Sequence, residues 1–130
     1  MTLFLGARTI IYPTADLAAS KRWFTDLLGY GPYFDQPFYV GFNVGGYELG
    51  IDPNADPTLG AQSYWGVADI QQAWDQLIAA GAQPNTEITE TGDDIKVASV
   101  LEVAGSFLGL IENPHFQPSA VPNDLTGPGR

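Results

Sequence analysis

The chain has 130 residues, 45% of them hydrophobic and 15% charged, with five Lys+Arg against fifteen Asp+Glu and no Cys. That length and apolar content suit a single domain with a real core and argue against disorder. A formal charge of −10 repels phosphate backbones and anionic headgroups, so neither nucleic acid nor a membrane surface is an expected partner, and no stretch reaches the eighteen or so apolar residues of a membrane span. Without thiols there is no disulfide framework, and Met1 to Gly6 has no basic region followed by a long apolar run, which together fit a cytoplasmic protein.

Thr9 to Tyr12 reads as a strand, and Asp16 is a good N-cap for a helix over Leu17 to Leu28 that puts Leu17, Phe24, Leu27 and Leu28 on one face and stops at Gly29. Phe38 to Val44 and Tyr47 to Ile51 follow as strands around Gly45-Gly46, a pair that supplies the positive φ angles of a tight hairpin turn. That register faces Val44 with Tyr47, Asn43 with Glu48 and Phe42 with Leu49. Strand alternation then puts Phe38, Val40, Phe42, Val44, Tyr47, Leu49 and Ile51 on a side suited to a helix-covered core. Tyr39, Gly41, Asn43, Glu48 and Gly50 fall on the other, which has the mixed character of a cavity wall.

Pro53 to Gly60 is a Pro/Asp/Asn-rich connector. After it the pattern starts again. Ser63 to Val67 is a second aromatic strand, and Asp69 caps a second helix with Ile70, Ala73, Trp74, Leu77 and Ile78 on its apolar face, closed by Gly81. Asp69 stands 53 residues after Asp16, and Gly81 stands 52 after Gly29. A duplicated unit explains this better than one irregular domain. Gln83 to Thr89 and Ile95 to Leu101 are expected as strands around a Thr91-Gly92-Asp93-Asp94 turn, with Phe107 to Ile111 as the last strand. The expected organisation is one domain over 1–113 built of two halves, 6–53 and 61–113, followed by an irregular tail over 114–130. The fold class is α+β, with helices on one face of a mostly antiparallel sheet.

In this order, Asp-Leu at Asp16, Trp-Phe-x-x-x-Leu-Gly from Trp23 to Gly29, the Gly-Gly hairpin and Leu-Gly-Leu-Ile-Glu from Leu108 to Glu112 resemble the vicinal oxygen chelate superfamily, which holds glyoxalase I, bleomycin-resistance proteins and extradiol dioxygenases. The resemblance covers about residues 6 to 113 and implies two tandem βαβββ units forming a cupped sheet with helices on its convex face. It also implies a homodimer, since relatives commonly pair half-barrels between chains. Metal-using members place His or Glu at four positions. Here those positions, as the resemblance aligns them, hold Thr9, Glu48, Ser63 and Gly109, so one carboxylate remains. A divalent ion needs three or four N/O ligands, and hydroxyls are weak, neutral ones. No metal and no cofactor is therefore expected.

What remains on the cavity side by alternation is Thr9, Ile11, Tyr39, Asn43, Glu48, Ser63, Trp65, Val67, Phe107 and Ile111. An apolar, aromatic surface with a few polar fixtures is the usual make-up of a small-molecule site, and aromatic walls beside a carboxylate favour a flat or cationic ligand. The leading expectation is a metal-free protein that sequesters an aromatic or cationic compound through Thr9, Tyr39, Asn43, Glu48, Ser63, Trp65, Phe107 and Ile111. The alternative is a lyase, isomerase or dioxygenase-like enzyme of the same superfamily that uses Glu48 as base or residual metal ligand. Glu48 is expected to be partly buried and to accept from Tyr39, Asn43, Thr9 or Ser63. The lone His115 is expected to be a surface or packing residue.

Overall fold

The structure, a computed structural model, describes residues 3–116. They form two compact units, Thr9–Ala61 and residues 3–8 with Gln62–Phe116. The boundary falls inside the first strand. No helix among the described residues is long and apolar enough to cross a membrane.

In the first unit, β1 (Gly6–Pro13) leads to α1 (Leu17–Leu28), β2 (Phe34–Gln36), β3 (Tyr39–Val44) and β4 (Tyr47–Asp52). α1 has the bounds expected from sequence because both ends are chemically marked. The Asp16 carboxylate accepts the Ala19 amide at 3.0 Å, and Gly29 takes the left-handed conformation (φ 85°) that ends the helix. The β3–β4 hairpin pairs Val44 with Tyr47, Asn43 with Glu48 and Phe42 with Leu49, the register that the two glycines dictate. Gly45 and Gly46 both have positive φ, and the Asn43 side-chain oxygen accepts the Gly46 amide at 2.9 Å. β4 runs parallel to β1 with Thr9 aligned to Glu48. Val40, Phe42 and Ile51 are buried beneath Leu17, Phe24, Leu28 and Leu49, so the α1 side of this sheet is the core.

Two expectations change here. Phe38 is not in the strand or the core: it sits in a two-residue turn with Pro37 and is 58% exposed. The turn arises because residues 34–36 form β2, a strand too short to show a period, antiparallel to β3.

The second unit repeats the plan with β5 (Gln62–Gly66), α2 (Ile70–Ala79), β6 (Gln83–Gly92), β7 (Ile95–Leu101) and β8 (Phe107–Glu112). The Asp69 carboxylate accepts the Gln72 amide at 3.1 Å, and the Glu112 carboxylate accepts the Ile70 amide at 2.9 Å, so two carboxylates occupy the positive end of α2. The helix ends at Ala79, with Ala80 rather than Gly81 as its C-terminal cap. β6 runs three residues further than expected, and the turn shrinks to Asp93-Asp94, both at positive φ, which short acidic side chains tolerate. β5 is parallel to β8, while β6–β7 and β7–β8 are antiparallel. Val67, Ile70, Ala73, Ala98 and Leu110 form the core under α2.

The fold class is thus α+β, mostly antiparallel, with one helix against one face of each unit's sheet, as the repeated pattern requires. Beyond Phe116 the expected tail lies outside the described residues.

Candidate functional site

The face of the first unit away from α1 carries Thr9, Ile11, Phe34, Tyr39, Gly41, Asn43, Glu48 and Gly50, and two glycines give that face its shape. A Cβ at Gly41 would lie 2.6 Å from Glu48 Oε2, and one at Gly50 would overlap the Tyr39 hydroxyl. Bare backbone at these two points is what lets the carboxylate and the phenol lie down on the sheet.

Glu48 is half-buried and is held by hydroxyl donors. The Tyr33 hydroxyl donates to Oε2 at 2.6 Å, and the Thr9 hydroxyl lies 3.4 Å from Oε1. Thr9 was among the expected donors; the short bond comes from Tyr33. The residue precedes β2, and its backbone amide donates to the Gly41 carbonyl at 3.0 Å, which sets the phenol over the glycine. The unrecognised short strand hid this partner. Asn43 aligns with Glu48, but its side-chain oxygen is engaged by the turn and its carbonyl accepts the Tyr30 hydroxyl at 2.7 Å.

Both phenols are held protonated well above the ordinary tyrosine value. For Tyr33 the cause is first desolvation, then the bond to Glu48 and its charge, although the residue as a whole is 64% exposed. For Tyr39, more enclosed, desolvation leads again, followed by the Glu48 charge. A raised folded-state value means that this contribution to stability is complete below about pH 10 and is lost as the pH rises beyond it. In an absorbance titration Tyr33 and Tyr39 should ionise late, and Glu48→Gln should bring Tyr33 back toward the ordinary value. A single step for all six tyrosines near pH 10 would contradict this arrangement.

In the second unit the placements differ from expectation by one residue. β5 aligns Tyr64 with Gly109, Trp65 with Leu110 and Gly66 with Ile111. Leu110 belongs to the α2 core, and the Trp65 ring lies 5.4 Å from Phe4, which packs on that core. Alternation therefore puts Ser63, Trp65 and Val67 on the helix-covered face and Gln62, Tyr64 and Gly66 on the other. Val67 is itself a member of the core. The internal repeat carried the signal: 53 residues after Thr9 comes Gln62, not Ser63. Phe107 and Ile111 do lie on the face away from α2, with Phe107 5.5 Å from Tyr64 in an edge-on contact.

Gly109 is buried, and its place is already filled. A Cβ there would lie 2.5 Å from Tyr64 Cδ2 and 2.8 Å from the Ser63 carbonyl. Beside it the fully buried Ser99 hydroxyl bonds to Asn85 Nδ2 at 2.9 Å and Thr86 Oγ1 at 2.6 Å, so this part of the face is satisfied internally. His115 Nε2 lies 2.9 Å from the Asp93 carbonyl, a packing role.

Residues 7–100 match the family model of the Glyoxalase/Bleomycin resistance protein/Dioxygenase superfamily. The chain belongs to this superfamily. No curated protein matches it in sequence. Solved structures resemble it in fold. A glyoxalase/bleomycin resistance protein/dioxygenase superfamily member from Vibrio splendidus 12B01 is 18% identical, with a TM-score of 0.63 over 82% of this chain and 97% of that one. Methylmalonyl-CoA epimerase from Mycobacterium tuberculosis is 17% identical, with a TM-score of 0.66 over 86% and 90%. A structure from Legionella pneumophila described as an NAD-dependent benzaldehyde dehydrogenase is 14% identical, with a TM-score of 0.64 over 79% and 96%. At these identities the likeness is one of fold.

The divalent ion used by some superfamily members does not fit the residues present. Among the described residues no three His, Cys, Asp or Glu side chains come together to hold a metal ion. In the first unit Glu48 is engaged by hydroxyl donors and Thr9 offers only a hydroxyl. In the second, Tyr64 occupies the space a ligand at residue 109 needs.

Proposed function

We propose that this superfamily member is a metal-free binding protein for a small aromatic or cationic compound, with Glu48 as the ligand's counter-ion. The observation that carries this reading is the Glu48 carboxylate held at 2.6 Å by Tyr33 and flanked by Tyr39, the carboxylate and the Tyr39 phenol lying flat over Gly41 and Gly50. A carboxylate beside the Tyr33 and Tyr39 phenols attracts an ammonium by charge, and the nearby rings offer it cation–π contact as well. The acidity of the chain adds long-range attraction for cations.

Titration calorimetry with a panel of aromatic amines tests this. Glu48→Gln should weaken an aromatic ammonium by about 1–3 kcal/mol, the scale of one charge-assisted hydrogen bond, while leaving the fold intact. Equal binding to both proteins would remove Glu48 from the site.

A lyase or isomerase reading shares these residues and is favoured by one observation, the two protonated phenols beside a carboxylate, a pairing of donors with a base. Under it, Glu48→Gln abolishes turnover and spares binding of a neutral substrate. We also propose a cytoplasmic homodimer, consistent with the absence of Cys and with sheet edges at β2 and β6 that pairing would cover. Light scattering that reports 14.0 kDa at tens of micromolar would exclude the dimer.

A further inference from the structure

Phe34, Phe38 and Tyr39 form a contiguous aromatic edge beside Glu48. Phe34 aligns with Gly41 and so lies on the face that carries the carboxylate. Its ring centroid is 6.0 Å from Phe38 and 6.2 Å from Tyr39. Tyr39 in turn lies over Gly50 on that face, and Tyr33 reaches Glu48 from the residue just before Phe34. Phe34, Phe38 and Tyr33 are all exposed, Phe38 to 58%. A run of exposed rings that ends at a half-buried carboxylate is unlike the scattered single apolar residues of an ordinary surface. Lys21, the cation that reaches β2 from α1, is bound to Asp35 at 2.9 Å, and Asp35 aligns with Val40 on the opposite, core face. The aromatic edge therefore leads from an apolar end to a negative one.

We infer that the site is bipartite and takes an amphiphilic amine: an ammonium head at Glu48 joined to an aromatic or alkyl body lying on Phe34 and Phe38. The inference rests on the proposed function and adds to it a polarity and a length. Charge complementarity fixes the head: of the two carboxylates whose charge reaches Tyr39, Glu48 acts on it more strongly and is bound by Tyr33, while Asp52 accepts the Asn54 amide at 2.7 Å. Apolar transfer fixes the body, because the rings gain most when they cover hydrocarbon rather than a second charge.

The test is a calorimetric series of ω-phenylalkylammonium ions with one to four methylenes, against the full chain and its Glu48→Gln, Phe38→Ala and Phe34→Ala variants. Each added methylene should tighten binding to the parent protein about fourfold, the transfer value of a buried CH₂. Phe38→Ala, in an exposed turn that leaves the core untouched, should flatten the series, with the longest member losing about tenfold and the shortest little. Phe34→Ala should do the same. Glu48→Gln should weaken every member by a similar factor. A series equally steep in Phe38→Ala and Phe34→Ala, or flat in the parent protein, overturns the bipartite site while leaving the Glu48 reading in place. Equal binding by the parent and Glu48→Gln overturns the proposed function itself, and failure of every member to bind overturns both. A Phe38→Ala protein that binds the series unchanged but loses self-association by light scattering assigns the rings to a contact between copies and sinks the inference.

Discussion

Gly109→Glu should destabilise the protein by about 3 kcal/mol or more and should not produce metal binding. The substitution supplies the carboxylate that the sequence resemblance aligns here from metal-using members, so a merely stripped metal site would gain from it. Here the Cβ alone meets Tyr64 Cδ2 at 2.5 Å and the Ser63 carbonyl at 2.8 Å. The first contact can relax by ring displacement. The second involves backbone of β5, which β8 pairs directly, and cannot move without loss of ladder bonds. The added carboxylate also enters a region next to Ser99, which has no exposed surface. Urea denaturation measures the cost, and thermal shift with Zn, Ni and Mn salts measures the absence of binding. The Tyr64→Ala/Gly109→Glu double variant should recover part of the loss, since it removes only the ring. Stability within about 1 kcal/mol of the parent, well inside the usual cost of overpacking, would show that Tyr64 does not fill this space.

Phe42→Ala should cost about 3–5 kcal/mol of stability, a large share of the 5–15 kcal/mol of a typical domain. Phe42 is 0% exposed, packs among Val40, Ile51 and the α1 residues, and has its centroid 6.3 Å from Phe24. Truncation removes a ring and leaves a cavity that the paired strands and the capped helix cannot close. A lower denaturation midpoint with an unchanged m value is the expected signature. Because Phe42 lies between Gly41 and Asn43 on the strand that faces Glu48, the same variant should also weaken ligand binding; a cost below about 1 kcal/mol would place Phe42 outside the core.

The sequence alone determined whatever rests on local chemistry and short periods. Asp16, Gly29 and Asp69 mark helix ends through side-chain caps and a positive φ, and so they were legible. Gly45-Gly46 set the hairpin register, and with it the face of Glu48, because a two-residue turn leaves the pairing no freedom. The 53-residue repeat announced two similar units. Tertiary structure decided what depends on neighbours distant in the chain. β2 has three residues and no readable period, so Tyr33 emerged as the donor to Glu48 only once β2 was paired with β3. β5 has residues of both faces that are aromatic or polar, so alternation alone could not say that Trp65 faces the core; its alignment with Leu110 on a parallel partner settles that. Gly109 reads in sequence as a missing ligand. In three dimensions it is the space that Tyr64 fills, because a glycine's role is defined by what approaches it.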